Sequence, residues 1–338
     1  MLLSVVGVGL LAGRAGAGEP LPREVARIAL TGVVGRIDHL ALDALQGRLF
    51  VAALENGSIE VVDLGRSRVA RLEGFREPQG VVFPGTVRKL FVTEGGASRV
   101  TVLDGDDLTR TGTVSLREDP DNVRYEPGAN RVWVGEGEDE SAALAAFGAE
   151  GGDIVAEVTL DGHPESFQLE ARDARVFVNV PREHEVEVVD RERREVVARW
   201  KLPHSANFPM ALDEEHRRLF IGCRHPAKVL VLDTATGKVV TELDSPGDAD
   251  DLFLDPARDR LYVCAGEGLV RVYSRRGPDR FEALGDLRTG PGARTCLFDA
   301  ESHRLYVAVP RRGAAAAEIV AFDTLPESLG GLDAKGQR

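Results

Sequence analysis

The chain is short of the residues that most chemistry-bearing motifs need. Among 338 residues there are three cysteines, two methionines, two tryptophans and 6% aromatics. Cys223, Cys264 and Cys296 are 41 and 32 residues apart, with no C-x-x-C or C-x-x-C-H, which excludes a zinc ribbon and covalent haem. Each lies in a β-like run and reads as a small buried hydrophobe, with one disulfide left open. No glycine-rich run ends in Gly-Lys-Ser/Thr, so a nucleotide phosphate loop is absent, as is a G-x-S-x-G nucleophile elbow. No apolar run reaches 18 residues, so no transmembrane segment is expected in the mature chain. No long block of one charge sign occurs, and the net charge of −13 repels phosphate backbones. With few aromatics left over for stacking, nucleic-acid binding is not expected.

Residues 1–17 begin with an apolar run, Met1–Ala12, and end in the small residues Ala15–Ala17, in the manner of a secretory signal peptide lacking its basic start. Export to the periplasm or the medium is the expectation.

A repeat dominates the rest. Runs of basic, aliphatic, aromatic, aliphatic and small residues begin at 48, 89, 131, 175, 218, 260 and 304, from "RLFVA" through "RVWVG" to "RLYVA", at a spacing of 41–44. A period-two run precedes each one ("HLALD", "GVVFP", "NVRYE", "SFQLE", "PMALD", "DLFLD", "TCLFD"). A third run follows ("IEVVD", "VTVLD", "VEVVD", "VLVLD"), then a fourth after a turn. Four short strands repeated with this period predict an all-β, seven-bladed β-propeller with four antiparallel strands per blade and no long helix. The blades span about 36–73, 77–117, 119–161, 163–203, 206–245, 248–289 and 292–324, within one domain over 18–325, followed by a disordered tail over 326–338. The seventh repeat lacks its fourth strand. "REVARIAL" (23–30) resembles "REVVARWKL" (194–202), so the N-terminal segment is expected to complete the last blade and close the ring. Asp63, Asp104, Asp190, Asp233 and Asp323 recur after the third strand and read as turn residues that bond the backbone.

With "LFVTEGG" (90–96), "RLYVA" (304–308) and "VLVLDTATGK" (229–238), residues 23–324 resemble the YVTN-repeat β-propeller family, the YncE-like exported proteins. No repeat carries the family's four-residue motif in full. The resemblance implies a seven-bladed fold outside the cytoplasm and little about chemistry.

Function is sought in what the repeats do not share. The loop leading into each first strand reaches one mouth of the channel: "RIDH" (36–39), "EPQG" (77–80), "DPDN" (119–122), "HPES" (163–166), "ANFP" (206–209), "DADD" (248–251) and "GART" (292–295). They supply Asp38, His39, Glu77, Gln79, Asp121, Asn122, His163, Glu165, Asn207, Asp248, Asp250 and Arg294, different in every blade, as a ligand site grafted on a repeat would be. The alternative is a hydrated polar rim. Glu165, Asp250, His39 and Asp121 are candidate ligands for a divalent metal, Ca²⁺ by oxygen donors or Zn²⁺ if histidine takes part. Arg294 could orient an anionic ligand or pair with a neighbouring acid. Ser166 beside His163 gives little support to a catalytic triad. The expected function is a monomeric exported binding or scaffold protein for an unknown small molecule or protein partner, more a binder than an enzyme. A lactonase-like or metal-assisted hydrolase, and an accessory subunit of a membrane or redox complex, are the alternatives.

Overall fold

The computed structural model describes residues 19–325; the signal-like segment 1–17 and the tail 326–338 lie outside the described residues. Seven four-stranded antiparallel sheets form the ring. Blade 1 is typical, with strands Leu40–Asp43, Arg48–Ala53, Ser58–Asp63 and Arg68–Glu73 from channel to rim. The strands of blades 2 to 6 occupy 78–115, 123–159, 167–201, 205–244 and 249–288. The described helices are four three-residue 3-10 turns, Leu54–Asn56, Gly95–Ala97, Asp139–Ser141 and Pro181–Glu183.

The ring closes as the repeat pattern predicts. Arg23–Leu30 is the outer strand of the last blade and pairs antiparallel with Ala317–Asp323, from Arg23 opposite Asp323 to Leu30 opposite Ala317. One sheet therefore takes its strands from both ends of the described chain, which removes the edge that blade 7 would otherwise expose.

The core is not one mass but seven apolar layers, each between adjacent blades. The aromatic residue of each second strand anchors a layer: Phe50, Phe91, Trp133, Phe177, Phe220 and Tyr262 are fully buried and Tyr306 nearly so. Several meet the next blade directly, with Phe50 and Phe83 at 5.4 Å and Tyr262 and Phe298 at 5.3 Å between ring centroids. Burying a side chain of this size stabilises by about 1.5–3 kcal/mol, and the repeat applies that term seven times.

The repeated aspartates do what turn residues do. Asp63 accepts the Arg66 N–H at 2.9 Å, Asp190 that of Arg193 at 2.9 Å, and Asp233 that of Thr236 at 3.0 Å.

The cysteines depart from the simplest reading. Cys264, in the second strand of blade 6, and Cys296, opening the first strand of blade 7, form a disulfide across the seam. Cys223 is free and buried. A bridge between blades could not be read from spacing, because the two residues are neighbours only once the ring closes.

Candidate functional site at the channel mouth

The lead-in loops deliver their side chains at a common level because they extend the blade ladder by one residue. The amides of Asp38, Asp121 and Glu165 donate to the second-strand carbonyls of Ala52, Gly135 and Asn179 at 2.8, 3.0 and 3.0 Å. In five loops the residue two places before this level is left-handed: Glu77, Asp119, Ala206, Asp248 and Gly292, with φ from 41 to 84°. Four of the five are not glycine, so the turn holds backbone conformations that cost energy. Asp121 is set further by its neighbour blade. Thr93 accepts the Gly80 N–H at 2.7 Å and donates to the Asp121 carbonyl at 2.8 Å. Gly80 is required there, since a Cβ would lie 2.2 Å from that carbonyl oxygen.

Asp121, His163 and Glu165 come together, with one ligand atom of each within 4.8 Å of the others. His163 Nδ1 lies 2.7 Å from the Gly137 carbonyl oxygen. A carbonyl only accepts, so Nδ1 carries a proton and Nε2 is the nitrogen left to ligate, the arrangement that orients a metal-binding imidazole. Burial, then the nearby Asp38 and Glu165 carboxyls, raise Asp121 well above the usual carboxylate range. Glu165 is raised by burial and Asp250. Asp121 Oδ1 is buried and accepts no hydrogen bond from the protein. An oxygen-and-nitrogen set with an unsatisfied buried acceptor fits a divalent cation. Among the described residues no hydrogen bond joins Ser166 to His163, so no triad forms there.

The other candidates separate into three groups. His39 lies 3.6 Å from Asp38, 3.8 Å from Asp251 and 3.3 Å from Asn122. Burial opposes the charge on His39, but the carboxyls of Asp38, Asp251 and Asp121 outweigh it and raise its pKa. Asp250 and Asp248 are held by arginines: Arg294 reaches Asp248 at 3.2 Å and Asp250 at 3.1 Å, and Arg224 bonds Asp250 while stacking 3.7 Å from the Phe208 ring centroid. Arg294 is thus a salt-bridge partner, and Asp250 and His39 lie outside the three-residue set that holds Asp121 and Glu165. Gln79 donates to Asp119 at 2.7 Å, Glu77 is exposed at the rim, and Asn207 is fully buried, bonded to Asn179 at 3.1 Å and to the Glu185 carbonyl at 2.9 Å.

Sequence reasoning passed over Asp251, Arg36, Arg124 and Arg224. Asp251 accepts the Cys296 N–H at 2.8 Å, and burial pushes its pKa up to about 7. Arg124 lines the channel and Arg36 pairs with Asp38 at 3.0 Å. Arg124 carried a signal: it stands at the third place of "NVRYE", where the other first-strand runs hold apolar residues or glutamine. The first strands enclose a cavity of about 480 Å³ in the channel, whose walls include Phe83, Met210, Phe253 and Phe298 beside Arg124 and Asp251.

A second acidic group, Asp161, Glu185 and Glu187, lies on blade 4 and its lead-in loop. Arg199 forks onto Asp161 at 2.6 and 3.0 Å, and Lys201 pairs with Glu185 at 3.0 Å.

Solved structures share this architecture. A chain of hydrazine synthase from Kuenenia stuttgartiensis aligns with a TM-score of 0.71 at 13% identity, over 89% of this chain and 96% of that one. A chain of the mitotic checkpoint complex gives 0.76 at 12% identity, over 95% and 99%. The RRP9 WD40 repeats give 0.77 at 11% identity, over 90% and 99%. At such identities the likeness shows the fold alone: a seven-bladed propeller. No family model and no curated protein sequence matches the chain. Among the described residues no helix is long and apolar enough to cross a membrane.

Proposed function

We infer that the chain is an exported binding propeller of the YVTN-repeat, YncE-like type, whose lead-in mouth holds a divalent metal on Asp121, His163 and Glu165 and offers it to a small polar ligand entering the channel. The observation that carries this reading is the convergence of those three side chains from two blades, with His163 fixed by the Gly137 carbonyl and Asp121 Oδ1 unsatisfied. The repeat fold does not require an acid there: two other blades place aspartate at the level of Asp121 and Glu165 (Asp38, Asp250), and three place glutamine, phenylalanine or arginine (Gln79, Phe208, Arg294). A histidine with two carboxylates favours Zn²⁺ or another transition metal over Ca²⁺. Export is supported by the signal-like start and by a disulfide, which persists in oxidising compartments. A scaffold role fits the likeness to a chain of a named multi-protein complex.

The test is elemental analysis of protein purified without chelator, beside His163→Ala and Glu165→Gln. Near-stoichiometric metal in the wild type that is lost in both variants supports the site; equal metal in all three, or none in any after loading with Zn²⁺, refutes it. A metal with an open ligand position is also what metal-assisted hydrolysis requires. Turnover of lactones or esters by the Zn²⁺-loaded protein, absent from Glu165→Gln, would make the binder an enzyme.

A further inference from the structure

The loop between second and third strands is a single 3-10 turn in blades 1, 2 and 4, but in blade 7 it runs across 310–316 as "PRRGAAA". Insertions in one repeat collect on a binding face. This one carries Arg311 and Arg312 over the mouth, where they meet Arg36 and Arg294 around a separate pocket of about 290 Å³ between blades 7 and 1, which the carboxylates Glu55 and Asp248 also line. Arg36 and Arg294 are engaged by Asp38, Asp248 and Asp250. Among the described residues, neither Arg311 nor Arg312 makes an ion pair, although the chain carries a net charge of −13. Arg312 is nevertheless anchored. Its Nε donates to the Pro291 carbonyl at 3.0 Å, and its Nη2 lies where a Cβ on Gly292 would come within 2.5 Å. Gly292, at φ +84°, makes room for it. Both arginines are exposed, so the Nη donors of the docked Arg312 face solvent and are open to a ligand.

We propose that this pocket is an oxyanion site, which takes the carboxylate or phosphate group of a small molecule on Arg311 and Arg312. The forked guanidinium matches the two oxygens of such a group, and charge-assisted bonds of this kind are the strong ones. The pocket is near the lower end of small-ligand volumes, which suits a phosphate or a short carboxylic acid. Acidic surroundings repel most anions, so the site selects those that can fill the fork.

Calorimetric titration of the full chain at low salt with inorganic phosphate, and separately with succinate, tests this. Saturable binding of either probe is expected, weaker by about tenfold or more in Arg311→Ala/Arg312→Ala and weakened also in Arg312→Lys, which keeps the charge but not the fork. Binding of phosphate alone assigns a phosphate ester, of succinate alone a carboxylic acid. No saturable binding of either up to about 10 mM, or equal binding by the double variant, overturns the proposal. Glu165→Gln keeps the metal reading distinct. It should retain the oxyanion, and if phosphate binding disappears with the metal while the arginine variants bind normally, the anion sits on the metal and the arginine site is refuted.

Discussion

Glu187 lies in the third strand of blade 4, Glu185–Asp190, with no exposed surface. Its Oε1 accepts the Asp161 N–H at 2.8 Å, and its Oε2 is buried without a donor. The charged groups around it are Asp161, Glu185, Arg199 and Lys201. Burial dominates, against the Asp161 N–H and the Arg199 charge, and pushes its pKa up from 4.5 to about 7. Between these two values the unfolded chain releases the proton and the folded chain keeps it. Stability from this residue therefore falls as pH rises from 4.5, and the loss is complete above about 7. At 1.36 kcal/mol per unit, the loss reaches about 3 kcal/mol at pH 8. Glutamine has the same shape, keeps the acceptor for Asp161 and does not titrate. Glu187→Gln should therefore be more stable than wild type by about 2–3 kcal/mol at pH 8 and equal to it within about 0.5 kcal/mol near pH 4.5. Urea unfolding followed by the fluorescence of Trp133 and Trp200, at both pH values, measures the difference. Parallel pH dependence in the two proteins, or a loss of stability in the variant at pH 8, would refute the reasoning.

Other perturbations probe the frame. Ile28 and Leu30 are buried in the layer between blades 7 and 1, so Leu30→Ala should cost about 2–4 kcal/mol in chemical denaturation. Removal of 19–30 should produce aggregates by light scattering, and a monomer with unchanged melting temperature would refute ring closure. Reduction of Cys264–Cys296, 32 residues apart, should lower stability by about 3–4 kcal/mol on loop-entropy grounds, read as a drop in urea midpoint with dithiothreitol. Asp43 is buried between Arg48 at 2.7 Å and Arg88 at 3.4 Å. Hydrogen bonds from both arginines and from the Gln46 N–H outweigh burial and hold its pKa low. Its contribution is thus present above the ordinary aspartate pKa and lost as pH falls through the lower folded value, and Asp43→Ala should cost about 2 kcal/mol at pH 7 while flattening the acid limb of the stability curve.

By itself, the sequence determined the blade. Alternating apolar residues, an aromatic at the third place of each second strand and an aspartate at five of the seven outer turns act within a few residues of themselves, so their physics is visible in one dimension. The spare strand "REVARIAL" was legible for the same reason: it has the pattern of a fourth strand and no local partner. The lead-in loops could be picked out because they carry ionisable and amide side chains that vary from blade to blade, while the strand runs repeat. Which of them meet was decided by the tertiary structure alone. Asp121 and His163 are 42 positions apart, yet the turn from one blade to the next sets them beside each other, and the same turn hands Asp250 to Arg224 and Arg294. The disulfide between Cys264 and Cys296, the arginine pair placed over the mouth by the long loop of blade 7, and the burial that shifts Asp251 and Glu187 have one origin. Charge, solvation and contact depend on distance in space, and here that distance is set by closing seven blades into a ring.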